Sequence, residues 1–99
     1  MIELAPNHKI GLPVANPILL AGGVIGCGDA VTPGLRTQAL GAAVIGPVLR
    51  RPRGGPVPPR VAEMSGGMVL DVGLQNRGLR TVLRRCAPGW ARLGCPVIV

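Results

Sequence analysis

"NPILLAGG", Asn16 to Gly23, is the stretch that decides the fold. Its apolar run has no polar alternation and is bounded by Asn-Pro on one side and Gly-Gly on the other. A strand with one face in water alternates, whereas a strand buried on both faces of a parallel sheet does not. "AAVIGPVL", residues 42–49, repeats the pattern, and "CPVIV", residues 95–99, begins a third such strand. Between the first two runs, Thr32-Pro33 offers an N-cap followed by proline at the first helical position, and Gly41 offers a stop. A helix is therefore predicted over residues 33–40. A second helix is predicted in "LRTVLRRCAPGWARLG", where Leu79, Val82, Leu83 and Cys86 share one face opposite the arginines and Pro88 should kink the axis. Strand followed by helix, repeated, points to an α/β fold with a parallel sheet.

Two hairpins flank this skeleton. "IEL" and "HKIGL" are strand-like pieces joined by the turn-prone "APN", and "RVAEM" and "GMVLDVGL" meet at Ser65-Gly66-Gly67. The order is hairpin, β, α, β, a long decorated loop, α, β. A chain that stops inside a buried strand lacks the neighbours that strand needs, so the sequence reads as truncated.

The totals agree with a piece of something larger. In 99 residues there is no Phe, no Tyr and one Trp, although 47% are hydrophobic. Aromatic rings contribute the largest buried areas, so a core of Val, Leu, Ile and Ala alone is expected to be marginal. The net charge of +7 comes from ten arginines and Lys9 against four acids. Such an excess suggests an anionic partner, but the base-stacking aromatics of single-strand binders are missing, and no nucleic-acid function is expected. The apolar runs fall short of the ~20 residues that span a bilayer, and "MIEL" has no basic signal region. A cytoplasmic protein without a membrane segment is expected. Cys27, Cys86 and Cys95 show no CxxC spacing and the single His8 lies far from them in sequence, so no metal site is assigned; free thiols in a reducing compartment are expected.

Candidate chemistry is sparse. "AGGVIGCGDAV" follows a strand, yet the third glycine of a dinucleotide fingerprint would fall at Val31 and no acid lies ~20 residues on. The glycines still allow a planar ligand to approach the backbone. Asp71 is either a solvated acid or aimed at a ligand; Gln75 and Asn76 could bond a ligand, with Asn76 expected to cap the following helix. His8, Glu63 and Asp71 form no triad or carboxylate pair. "PVLRRPRGGPVPPR", Pro47 to Arg60, holds four arginines and five prolines. It could be a disordered arm, a polyproline ligand through Arg53, Pro56 and Pro59, or a stiff ordered loop.

Taken together, "NPILLAGG", "LGAAVIGPVLRRPRGGPVPPRVAE" and "GMVLDVGLQNRG" resemble the N-terminal part of class 1 dihydroorotate dehydrogenases. The most specific elements are Asn16-Pro17, Ala21 with Gly23, Pro52-Arg53, Gly55, Pro59-Arg60 and Gly73-Leu74-Gln75-Asn76. The resemblance implies the first part of a (β/α)8 TIM barrel, made of an N-terminal hairpin, about three strands and two helices, over a single incomplete domain, residues 1–99. It implies FMN as cofactor, with Ala21, Gly22 and Gly23 against the flavin and Gly46 and Pro47 where the family carries a lysine. It places Leu70 at the family's substrate-binding asparagine, with Gly73 and Leu74 matching. Glycine cannot stabilise charge on a reduced flavin as lysine does, and leucine offers no bond to a pyrimidine edge. Altered specificity or inactivity is therefore expected of the 99-residue chain, with weak FMN binding.

The family's catalytic base lies on a later loop, so no catalytic residue is assigned. Partners implied are a small-molecule substrate and either a homo-oligomer or a completing polypeptide. The Arg/Pro segment is then an ordered loop held partly by Arg53 and Arg60. The other reading of the chain is a small basic binding module that docks through residues 50–60.

Overall fold

The computed structural model describes all residues, 1–99. The three apolar runs become the parallel sheet that their composition calls for. β3 (Leu19–Leu20), β4 (Ala42–Val44) and β7 (Val97–Ile98) lie in the order β3-β4-β7, with Leu19 opposite Ala42 and Ala43 opposite Val97. β4 is central: Ala42 and Ala43 are fully buried, and Gly41 N–H donates to the Ile18 carbonyl at 2.8 Å while Ala43 and Ile45 donate to Pro96 and Ile98. Small residues suit this strand because its neighbours press on it from both sides. Gly41 is the extreme case, since a Cβ there would sit 2.0 Å from the Asn16 carbonyl oxygen. Asn16 fastens the same corner, accepting from Ile18 N–H at 2.9 Å and donating to the Ala39 carbonyl at 3.0 Å.

β3 departs from expectation. It is an edge strand, and Ile18 and Leu19 remain largely exposed instead of buried on both faces. β7 forms the other edge, so the sheet is open and no closed barrel exists. The core is correspondingly small: Ile25, Ala43, Ile45 and Leu93, flanked by Leu20, Leu35, Trp90, Cys95 and Val97. Only 11 of 99 residues are buried. The radius of gyration is 16.4 Å, against about 13 Å for a compact 100-residue domain. No helix is long and apolar enough to cross a membrane.

The helix predicted over residues 33–40 does not form. Leu35 N–H closes a turn on Thr32 and only a 3₁₀ turn, Thr37–Ala39, follows. Gly34 explains this, because its φ of +92° throws the chain out of the right-handed helical region one residue after Pro33. Too few residues remain before Gly41 to nucleate a helix. The second helix does form over residues 79–93, and Pro88 leaves its mark. An α turn (Leu79–Thr81) widens into a π segment (Val82–Cys86), then returns to α (Ala87–Trp90) and ends in a 3₁₀ turn (Ala91–Leu93). A proline lacks the N–H that an α turn would use, and a π turn just before it absorbs the mismatch. Val82 and Cys86 are buried as the apolar face predicts, but Leu79 and Leu83 are exposed.

Both hairpins are present, the first with different strands. β1 (Ile2–Glu3) pairs with β2 (Pro13–Val14), not with "HKIGL". The Glu3 carboxylate accepts from Ala5 N–H (2.7 Å) and Leu12 N–H (2.6 Å), and this folds residues 5–11 into turns. β5 (Val61–Met64) and β6 (Gly67–Leu70) form the second hairpin around Ser65-Gly66, with Met64 opposite Gly67, and all eight strand residues are exposed. Val61, Met64, Met68, Val69 and Leu70 thus present apolar surface to solvent.

Candidate functional site

The C-terminal ends of β3 and β4 open onto a hollow of about 230 Å³, walled by Gly23, Gly46, Pro47, Gln75, Asn76 and Arg77 among others. Glycine makes this corner possible. A Cβ on Gly22 would lie 3.2 Å from the Gly46 carbonyl oxygen, so the two loops approach backbone to backbone. Gly23, with φ +92°, has no heavy atom within 4 Å of where its Cβ would stand, leaving one face of its backbone open. Gly46 has φ +133°, a region that disfavours any side chain. Position 46 is therefore shaped for glycine in this chain.

The loop 47–53 is held against residues 76–78 by Asn76. Its Oδ1 accepts from Leu49 N–H (3.1 Å) and Gly78 N–H (3.0 Å), and its Nδ2 donates to the Pro47 carbonyl (2.7 Å). Its backbone exchanges two hydrogen bonds with Arg53, at 2.8 and 2.9 Å. The expected capping role is thus partly met, through Gly78, but the main work of Asn76 is to clamp the Arg/Pro loop. That loop is ordered as expected. Arg60 Nε donates to the Pro56 carbonyl at 2.7 Å, and a Cβ on Gly73 would meet Pro56 at 2.8 Å. Arg53 acts through its backbone, not its charge, and of the five prolines only Pro56 is partly buried.

The cofactor and substrate candidates are not gathered in one hollow. Gly23, Gly46 and Pro47 line the first; Gly22 packs behind it and Ala21 is outside the lining. Gly73 and Leu74 line a separate, wider hollow of about 490 Å³ with Arg53, Gly55 and Asp71. Leu70 ends β6, exposed and opposite Val61.

A cluster at the rim of the first hollow escaped the sequence reading. Cys27 and Cys86 are joined in a disulfide with Cα atoms 5.9 Å apart, which corrects the expectation of free thiols at these positions. Only Cys95 is free; burial raises its thiol pKa. Arg77 Nη1 lies 2.8 Å from Asp29 Oδ2, 3.1 Å from Cys27 Sγ and 3.7 Å from Cys86 Sγ. The hydrogen bond from Arg77 holds the Asp29 carboxyl below its ordinary range. Trp90 Nε1 donates to the Cys27 carbonyl at 2.8 Å, fixing the loop from below. The donor atoms of Cys27, Asp29 and Cys86 lie within 4.8 Å of one another, but the sulfurs are bonded together and the carboxylate is bonded to a cation. No sequence signal marks this cluster, because 59 residues separate the two cysteines.

The dihydroorotate dehydrogenase family model matches residues 6–98, which is nearly the whole chain. The chain belongs to the dihydroorotate dehydrogenase family. It is 43% identical over 89 residues to the catalytic subunit of dihydroorotate dehydrogenase B (NAD(+)) from Desulforudis audaxviator (strain MP104C), covering 90% of this chain and 29% of that protein. The corresponding subunit of Geobacillus sp. (strain WCH70) is 41% identical over 88 residues, covering 89% and 28%. That of Endomicrobium trichonymphae is 35% identical over 97 residues, covering 98% and 31%. The chain thus spans less than a third of the length of the curated relatives it matches. The parallel order β3-β4-β7 is what the opening of this family's (β/α)8 barrel requires, with the strand ends and their loops on one face.

Proposed function

We propose that this chain forms the N-terminal, flavin-facing part of a dihydroorotate-dehydrogenase-like oxidoreductase, cytoplasmic and acting in pyrimidine biosynthesis. The single observation that carries the reading is the glycine-built hollow at the C-terminal ends of β3 and β4, where Gly23 leaves its backbone open. Ligands of barrel enzymes are held at this face. The residues fit a planar cofactor: Gly23, Gly46 and Pro47 would lie along one edge of FMN, with Gln75 and Asn76 offering amide groups beside it. FMN, when bound, supplies the acceptor for the two electrons removed from dihydroorotate or a related dihydropyrimidine.

The chain's own part is to bind and orient. Asn76 keeps the 47–53 loop at the mouth of the hollow, and Arg77 is the one charged side chain in its wall. Gly46 provides no cation at the lysine position, and Leu70 no hydrogen bond at the asparagine position, so orotate itself is disfavoured as the ligand. With an open sheet and much exposed apolar surface, the site would need further polypeptide to enclose a flavin, either more of the same barrel or a partner subunit.

Titration of the purified chain with FMN, followed by flavin fluorescence, tests this. Weak, unsaturated quenching at micromolar FMN is expected, together with no dihydroorotate oxidation. Saturation in the micromolar range would refute the incomplete site.

A second reading has its own observation. Arg50, Arg51, Arg77 and Arg80 surround a hollow of about 460 Å³, and only Arg77 has an acidic partner. A basic docking module would use these groups on an anionic partner. It requires binding that weakens with salt and disappears when Arg50, Arg51 and Arg80 are changed together.

A further inference from the structure

We propose that the Cys27–Cys86 disulfide is a thiol–disulfide exchange site whose reduction frees the glycine loop that walls the candidate flavin hollow. Three observations carry it. The bond ties Cys27, which lines the hollow between Gly26 and Gly28, to Cys86 at the end of the π segment of the helix, so one covalent link fixes loop to helix. The two sulfurs differ in access: Cys86 is 5% exposed, whereas Cys27 is half-buried at the rim. The Arg77 guanidinium lies beside both sulfurs, at 3.1 and 3.7 Å, and can stabilise a thiolate on either one.

The direction of the chemistry follows. A thiolate of a small dithiol attacks Cys27 Sγ, the sulfur–sulfur bond breaks, and its electron pair leaves on Cys86 Sγ beside Arg77. The second thiolate of the dithiol then attacks its own mixed disulfide and releases Cys27. Two protons restore the cysteine thiols, and the dithiol ends as its cyclic disulfide. A low-molecular-weight disulfide such as oxidised glutathione reverses the reaction. In a reducing compartment, disulfides are mostly of this exchangeable, sensing kind. With the link open, the loop keeps the Trp90 bond to the Cys27 carbonyl and the Arg77–Asp29 pair beside buried Ile25. It loses its one covalent tie to the helix, and Gly26 and Gly28 on either side of Cys27 give the segment between these anchors freedom to move. Zinc bound by Cys27, Asp29 and Cys86 is the rival occupant of the reduced cluster; Arg77 on Asp29 opposes it.

The experiment uses the full chain purified without reductant, acid-quenched and alkylated under denaturing conditions, before and after treatment with dithiothreitol. The expected result is one alkylated cysteine, Cys95, before reduction and three after it, with a change in Trp90 emission that oxidised glutathione reverses. Cys27→Ser should abolish the emission change. Arg77→Leu should slow reduction by roughly three- to tenfold, and Arg77→Lys should restore most of the rate. Three alkylated cysteines before reduction would overturn the proposal, as would stoichiometric zinc retained by the reduced chain with its thiols protected. An unchanged Trp90 signal on reduction would overturn the coupling to the loop. Should Arg77→Leu fail to fold, the wild-type thiol count and the Trp90 response decide alone.

Discussion

Replacing Asn76 by alanine removes the clamp between the 47–53 loop and the start of the helix. Three side-chain hydrogen bonds are lost, at 2.7, 3.0 and 3.1 Å, to Pro47, Gly78 and Leu49. Each is worth about 0.5–1.5 kcal/mol net, so the expected cost is roughly 2–4 kcal/mol. The Leu49 and Gly78 bonds are partly buried, and their N–H groups would be left without a partner in the protein. Against a total stability of about 5–15 kcal/mol for ordinary domains, and less for a chain with so small a core, that loss is large. Urea unfolding followed by Trp90 emission measures it. Gln75→Ala is the control, because the neighbouring side chain is exposed and makes no hydrogen bond in the structure; it should stay within about 0.5 kcal/mol of the parent. An Asn76→Ala cost below about 0.5 kcal/mol, or one equal to the Gln75→Ala cost, would refute the clamp.

Other consequences are equally direct. Gly41→Ala should destabilise by about 3 kcal/mol or abolish the folded Trp90 signal, because its Cβ would lie 2.0 Å from the Asn16 carbonyl. Gly46→Lys should cost about 1–3 kcal/mol in the same assay, since φ is +133° there, and should not tighten FMN binding. Asp29 is held below its ordinary value of 3.8 by Arg77, so its contribution is present above that pH and lost as the pH falls through the lowered folded value. The pair is exposed and the effect small; Asp29→Asn should lower the urea midpoint slightly at neutral pH and converge with the parent below about pH 4, flattening the fall with acid.

Much of the scaffold is legible in the residues because burial writes itself as composition. The unbroken apolar runs at 16–23, 42–49 and 95–99 carry the three parallel strands, and the Ser65-Gly66-Gly67 signal marks the β5–β6 turn, which closes on Ser65-Gly66. The helix expected at 33–40 is absent because Gly34 overrides the capping signals at Thr32-Pro33, and its left-handed backbone depends on the turn around it. The strand partner of Ile2–Glu3 was misplaced because the Glu3 carboxylate, a long-range bond to Leu12, sets the turn length. Ile18 and Leu19 read as buried and are exposed, since an apolar strand needs neighbours on both sides and β3 has only β4. At the candidate site, the glycines were visible as glycines. The Arg77–Asp29 pair, the Trp90 bond and the Cys27–Cys86 link were not, because each joins residues 48–63 positions apart and leaves no local pattern.

The hollow at the ends of β3 and β4 is proposed as a flavin-binding corner. It is tested most directly by recording backbone amide shifts of the isotope-labelled chain while FMN is raised to millimolar concentration. Weak binding is expected, with shifts concentrated on Gly23, Gly46 and Gln75 to Arg77. Absence of shifts there, or shifts confined to Arg50, Arg51 and Arg80, would contradict it.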